Sequence, residues 1–251
     1  MKKIALILAL SFAFVSCNND DDNTPVPLLV TIDLTQNWDG DNVTESDFGT
    51  TNYTNAHGEN LKISKLRYLI SKVILHNSYG DEIEISGYQL ADLTNNNSLR
   101  FAQNLSIPGG TYTSISFVYG FNEEDNISNE YQDLNTASWN WPSMLGGGYH
   151  FMQFEGSFTD SNGDPQPFAY HNGTARVSEG VFEENFITVT KPISFSEDST
   201  IDIKMNLAEW FKNPYTWDLN TYSSALMGNY DAQILMNDNG QNVFDVTVEA
   251  N

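Results

Sequence analysis

Leu66-Arg67-Tyr68-Leu69-Ile70-Ser71-Lys72-Val73-Ile74-Leu75 is the stretch that decides the fold. Successive side chains of a strand point to opposite faces, so a half-buried strand alternates apolar with polar residues. Here both faces are apolar, which marks a central strand covered on each side. Outward from it, most segments alternate with period two. Leu28, Val30, Ile32 and Leu34 share one face; Ile115, Phe117, Tyr119 and Phe121 share another. Ile201, Ile203, Met205 and Leu207 alternate with Asp202, Lys204 and Asn206, and Phe244, Val246 and Val248 repeat the pattern near the end. Tyr79-Gly80-Asp81, Pro108-Gly109-Gly110, Asn162-Gly163-Asp164 and Asn239-Gly240 punctuate these runs as turns. Residues 207–211 read as one helical turn. Residues 223–236 read as a helix with Leu226, Tyr230 and Ile234 at i, i+4 and i+8 and Ser223 as its N-cap. The expected fold is all-β: an antiparallel, immunoglobulin-like β-sandwich with one or two short helices near the C-terminus. It is expected as a single domain over residues 28–251.

The chain opens differently. Lys2 and Lys3 precede an apolar run from Ile4 to Val15, too short to span a bilayer and suited to a signal peptide over residues 1–16. The run ends at Ser16-Cys17, and Cys17 is the single cysteine. A cysteine placed there reads as a lipoprotein acylation site, which would anchor the domain to a membrane. Residues 17–27, with Asp20-Asp21-Asp22 and two prolines, read as an acidic disordered tether. The expected location is the outer membrane, on either its inner or its cell-surface face. The formal charge of the 251-residue chain is −22, and losing Lys2 and Lys3 with the signal leaves −24. That balance argues against nucleic acid as a partner and favours cations. One cysteine allows no intrachain disulfide.

The chain contains no Gly-x-Ser-x-Gly, P-loop, Rossmann glycine pattern, His-Glu-x-x-His or Cys-x-x-Cys, so the expectation is a protein that is not an enzyme. The acidic turns Asp39-Gly40-Asp41 and Asp160-Ser161-Asn162-Gly163-Asp164 lack the full ligand set of a calcium loop and read as hairpin turns. The chemistry concentrates between Trp139 and Gly173. Trp139-Asn140-Trp141, Gly148-Tyr149-His150-Phe151 and Tyr170-His171-Asn172-Gly173 bring imidazoles close to indoles, a mixture that suits a metal site. His171 sits at a strand end, where ligands commonly lie. His57 lies in the turn Asn55-Ala56-His57-Gly58-Glu59. His150 reads as a structural, sheet-facing residue on the face of Met152 and Phe154, and His76 as a strand-end residue. Trp139 and Trp141 flank Asn140 and would face one side of a strand.

Taken in order, these segments resemble the MbnP-like copper-binding family. Leu29 to Leu34, Gly58-Glu59 with Ile63, Ile107-Pro108-Gly109-Gly110-Thr111-Tyr112, Phe117-Val118-Tyr119-Gly120, Trp139-Asn140-Trp141, Gly148-Tyr149 to Glu155-Gly156, and His171-Asn172-Gly173 carry the likeness. The resemblance implies copper held by histidines beside a tryptophan oxidised to kynurenine, a change made in some members by a dihaem peroxidase-type partner. By position His171 is the implied metal ligand, His57 a second, and Trp139 or Trp141 the oxidised residue. Against the family pattern, residues 142–147 read as an insertion, and residues 221–227 lack a histidine that relatives often carry. The implied role is copper capture or delivery by a membrane-anchored lipoprotein. The competing reading is a surface module on the same fold that presents Trp139 and Trp141 to a glycan or protein, with the metal lost.

Overall fold

A computed structural model describes residues 26–251; the signal segment, Cys17 and the tether as far as residue 25 lie outside them. The first strands are β1 (Leu28–Trp38), β2 (Asp41–Asn42), β3 (Tyr53–Thr54), β4 (Asn60–Asn77), β5 (Glu82–Asp92), β6 (Arg100–Ile107) and β7 (Tyr112–Tyr119). Helix α1 (Gln132–Thr136) precedes β8 (Met152–Thr159), β9 (Pro165–Asn172), β10 (Ala175–Ser178) and β11 (Val181–Glu183). The chain then runs through β12 (Ile187–Phe195), β13 (Ser199–Asn206), helix α2 (Tyr230–Gly240) and β14 (Phe244–Ala250).

Two sheets face each other. One joins β14, β13, β1 and β2, with β6 also on β1; the other joins β12, β7, β4, β8 and β9, with β3 and β5 also on β4. The alternating faces read from the sequence meet between them: Val30, Ile32, Ile201, Ile203, Ile115 and Phe117 are all buried in one cluster. Phe117 meets Phe244 edge-on at 5.3 Å, and Gln36 Nε2 donates to the Tyr68 hydroxyl at 2.6 Å across the layers. The sandwich is therefore as expected, with one difference. β1 and β13 pair in parallel, Ile32 opposite Ile201, so that sheet is mixed. Strands far apart in sequence need no hairpin and can run in either sense.

β4 organises the second sheet. Leu61 to Tyr68 pair with β8, whereas Ile70 to Asn77 pair with β7. At Arg67 and Tyr68 the opposite edge is held by β5, which also faces β7 across Ile70 and Ser71. β8 and β7 thus follow one another along the same edge of β4. Leu69 is the handover: its N–H donates to the Phe151 carbonyl at 3.0 Å and its carbonyl accepts from Gly120 at 2.9 Å. A bulge at Lys72, with φ of +47°, follows directly. Tyr68, Leu69, Ile70 and Ser71 are consecutively buried. Leu69 packs with Phe121, Leu134, Trp139 and Tyr149 in a second cluster outside the sandwich. The chain between β7 and β8 fills this fork. Tyr119 and Phe121 were expected on one face; Gly120, with φ of +89°, turns them into different clusters.

The helices correct the sequence reading. Residues 207–211 do form a single 3-10 turn, Leu207–Phe211. The last helix starts later than expected, capped by Asn229, whose Oδ1 accepts from Ala232 N at 3.1 Å. Its buried face is Ala232, Gln233, Met236, Asn239 and Gly240, not Leu226, Tyr230 and Ile234. Ser223 instead gives its carbonyl to Ala169 at 2.7 Å. α1 lies in mid-chain rather than near the C-terminus.

A Cβ on Gly120 would fall 2.5 Å from the Phe151 ring, at a backbone conformation side chains avoid. We expect Gly120→Ala to destabilise the protein by about 2 kcal/mol or more in denaturant unfolding. A loss below about 0.5 kcal/mol would mean that the close approach of Gly120 to Phe151 does not hold the fork.

Candidate metal centre

The Trp-Asn-Trp segment pairs with the strand entry to β8. Asn140 bridges Tyr149, Trp141 N donates to Gly148 O at 3.0 Å, and His150 N donates to Trp139 O at 2.9 Å. This register sets Trp139 opposite His150, so both indoles and the imidazole share a face. His150 lies 5.4 Å from Trp139 and 4.9 Å, edge-on, from Trp141 by ring centroids. Residues 142–147, read as an insertion, do not push the tryptophans away. They form a closed turn in which Pro142 O accepts from Leu145 and Gly147, and Trp141 Nε1 donates to Leu145 O at 3.1 Å. A run of glycines, 146 to 148, closes it at φ values of +114°, +72° and +76°.

His171 reaches the same spot from β9, where it pairs with Gln153. Its ring stands 5.3 Å from that of His150, nearly perpendicular at 85°. Gln233, fully buried on α2, holds the backbone there. Its Nε2 donates to His171 O at 2.8 Å and its Oε1 accepts from Gly173 N at 3.2 Å. Gly173 leaves room for Trp141, whose ring would meet an added Cβ at 2.6 Å. Sequence, helix and strand thus converge on two imidazoles walled by two indoles.

The electrostatics make both imidazoles neutral. Burial, assisted by His171, Arg67 and Lys65, pushes His150 down to about 3. Burial also lowers His171, against the opposing pull of Glu155. Partial burial of Glu155 disfavours its charge, but hydrogen bonds from Lys65 and His171 outweigh this and hold its carboxyl below the usual range. The 2.9 Å contact from His171 Nε2 to Glu155 Oε1 is therefore an N–H donated by a neutral ring to a carboxylate. It leaves the Nδ1 lone pair free, the arrangement that carboxylates impose on metal-binding histidines. His150 Nδ1 and Trp139 Nε1 are buried with no hydrogen-bond partner among the described residues. Such orphaned groups are rare in a protein interior and mark a place where something else binds or reacts. Arg67 lies over Trp139 with its guanidinium carbon 4.9 Å from the ring centroid, and donates to Gln153 Oε1 at 2.6 Å.

Of the residues singled out from sequence, the structure gathers His171, Trp139 and Trp141. His150, read as structural on the face of Met152 and Phe154, is instead the centre of the cluster. The residue lies before β8, where its backbone follows the Trp139–Trp141 ladder rather than the sheet alternation. The signal that could have found it is the ladder itself: Trp-Asn-Trp and Gly-Tyr-His joined by a glycine-rich turn. His57 is not brought here; its Nδ1 contacts Glu59 Oε1 at 2.7 Å in a different loop. His76 bonds Ser116 Oγ at 2.8 Å, as a strand-end residue should. Trp139 is fully buried and Trp141 is 3 % exposed, so neither indole offers a platform to a glycan or partner.

A β-sandwich with a histidine pair walled by tryptophans at the fork of one sheet defines the class of protein. The family model for MbnP matches residues 28–228, and the chain belongs to the MbnP family. The structure is similar to MbnP from Methylosinus trichosporium, with a TM-score of 0.56 over 89% of this chain and 99% of that one, at 14% sequence identity. No curated protein sequence matches the chain.

Neutral burial of His150 has a pH consequence for the metal-free protein. The unfolded chain takes up its proton near pH 6.5, the folded one only near 3, so the unfolded state binds more protons in between. The stability held by His150 is full above about pH 6.5 and falls as pH drops toward 3. Denaturant unfolding between these pH values should show this loss, and His150→Phe should flatten it. An equal slope in the variant would contradict the burial.

Proposed function

We propose that the protein binds a copper ion at His150 and His171, for capture or delivery rather than catalysis. The observation that carries this reading is the buried, neutral His150 with an unpartnered ring nitrogen, set against a His171 oriented by Glu155. Neutral imidazole suits copper, and membership of the MbnP family supports the choice of metal. The surrounding charge favours the monovalent ion. Lys65 and Arg67 oppose positive charge at both histidines, while Glu155 draws it toward His171; a dication would meet more of that repulsion than Cu(I). Enclosure by two indoles suits an ion better than an organic substrate.

The oxidised tryptophan implied by the family likeness belongs to the same proposal, together with a dihaem peroxidase-type partner that would make it. Arg67 over Trp139 opposes loss of an electron from that ring, which leaves Trp141, edge-on to His150, as the more oxidisable indole. Location also belongs here: Cys17 behind its signal-like segment supports a lipid anchor at the outer membrane, with the charge of the chain gathering cations near it.

Chelator-treated protein titrated with Cu(I) under reducing conditions should take up one ion per chain and quench tryptophan fluorescence. His150→Phe and His171→Ala should each weaken binding by roughly tenfold or more, whereas His57→Ala should leave it unchanged. Unchanged binding in His150→Phe would overturn the site. Intact mass of the native protein reads acylation at Cys17 and indole oxidation together.

A further inference from the structure

His57, Glu59 and Asp218 meet at the other end of the β8–β9 ladder. Gln153 pairs with His171 at one end, whereas Phe158 pairs with Leu61 and Gln166 five residues further along. That is roughly 17 Å at about 3.4 Å per residue. One possible ligand atom from each of the three residues lies within 4.8 Å of the others. His57 Nδ1 is 2.7 Å from Glu59 Oε1 and 3.6 Å from Asp218 Oδ1. One carboxylate oxygen of Asp218 thus lies within 4.8 Å of one of Glu59.

The arrangement is built but incomplete. Glu59 is only 6 % exposed, and its Oε2 has no hydrogen-bond partner among the described residues. Its Oε1 accepts from Asn220 Nδ2 at 2.8 Å. Buried Asn55 shapes both loops: its Oδ1 accepts from Gly58 N at 3.0 Å and Glu59 N at 2.9 Å, and its Nδ2 donates to Trp217 O at 3.3 Å. Asp218 is fixed by Asn220 N at 2.8 Å and Thr221 Oγ1 at 2.7 Å. These bonds orient the three side chains without any ion. What they leave is a buried carboxylate oxygen with no donor, beside a second carboxylate. Such a pair calls for a shared positive charge.

We infer that His57, Glu59 and Asp218 form a second cation site, for a divalent first-row ion of the zinc type, which ties the loop before β4 to the loop at Asp218. Two carboxylates match a dication in charge, whereas at the His150–His171 site the carboxylate on His171, Glu155, is shared with Lys65. An imidazole nitrogen in the set selects against calcium, which takes oxygen ligands, and imidazole with carboxylate suits zinc. His57 and Asp218 remain 45% and 33% exposed, which leaves a coordination position open to water. The two sites share no residue, so this inference stands whether or not copper binds at the other.

The full-length mature chain, freed of metal by a chelator, should be titrated calorimetrically with zinc(II) alone. One equivalent should bind, with a rise in Tm that excess chelator reverses. Asp218→Asn and His57→Ala should each weaken zinc by roughly tenfold or more. Both replace partly exposed side chains, and their Tm in chelator checks that they fold. His171→Ala should keep the zinc. Absence of binding to the wild type, wild-type affinity in both loop variants, or loss of zinc in His171→Ala would overturn the inference. Calcium binding as tightly as zinc would overturn the class of ion.

Discussion

A strand buried on both faces cannot end its pairing in mid-course without leaving backbone groups unbonded, and β4 meets that constraint by changing partner at Leu69. The Leu69 N–H bonds Phe151 and its carbonyl bonds Gly120, so no group is left open where β8 and β7 part. Everything chemically unusual follows from that fork. The segment crossing it must cover Leu69, and does so with Phe121, Leu134, Trp139 and Tyr149. Trp139 then carries its ladder partner His150 into the interior, and β9 brings His171 against it.

The fork also explains why a polar cluster survives burial. Gln233 satisfies the backbone at His171 and Gly173, and Glu155 satisfies one nitrogen of His171. His150 Nδ1, Trp139 Nε1, Arg67 Nε and Asn172 Oδ1 are left over there among the described residues. Leaving them unpaired costs stability, and a fold selected for packing alone would replace them with apolar atoms. Their retention beside two neutral imidazoles is the physical basis of the proposed copper chemistry. The loop cluster around Glu59 shows the same signature with two carboxylates and one imidazole, and for that reason invites a different ion.

Much of this was legible from side-chain alternation. The runs through Val30, Ile32, Ile201 and Ile203 and the doubly apolar stretch from Leu66 identified the sandwich and its central strand, because period two survives whatever the partner strand is. His171 and the tryptophan pair were legible as a cluster of unusual composition. His150 was not. Alternation counted from Met152 places its ring on the sheet, but the residue belongs to the ladder with Asn140, which shows only when Trp-Asn-Trp and Gly-Tyr-His are read as a pair across their glycine-rich turn. The last helix was misplaced for a related reason: Leu226, Tyr230 and Ile234 have helical spacing, yet the buried face carries Gln233 and Asn239, whose burial depends on partners far along the chain.

Alternation within short segments, and the order of those segments, were enough for the β-sandwich class and the family. Tertiary structure alone decided the parallel pairing of β1 with β13, the pairing of His150 rather than His57 with His171, and the orientation of His171 by Glu155 and Gln233. Those depend on which distant strand edges meet, and on which buried polar groups find partners when they do. A single chain of residues does not carry that information in any local spacing.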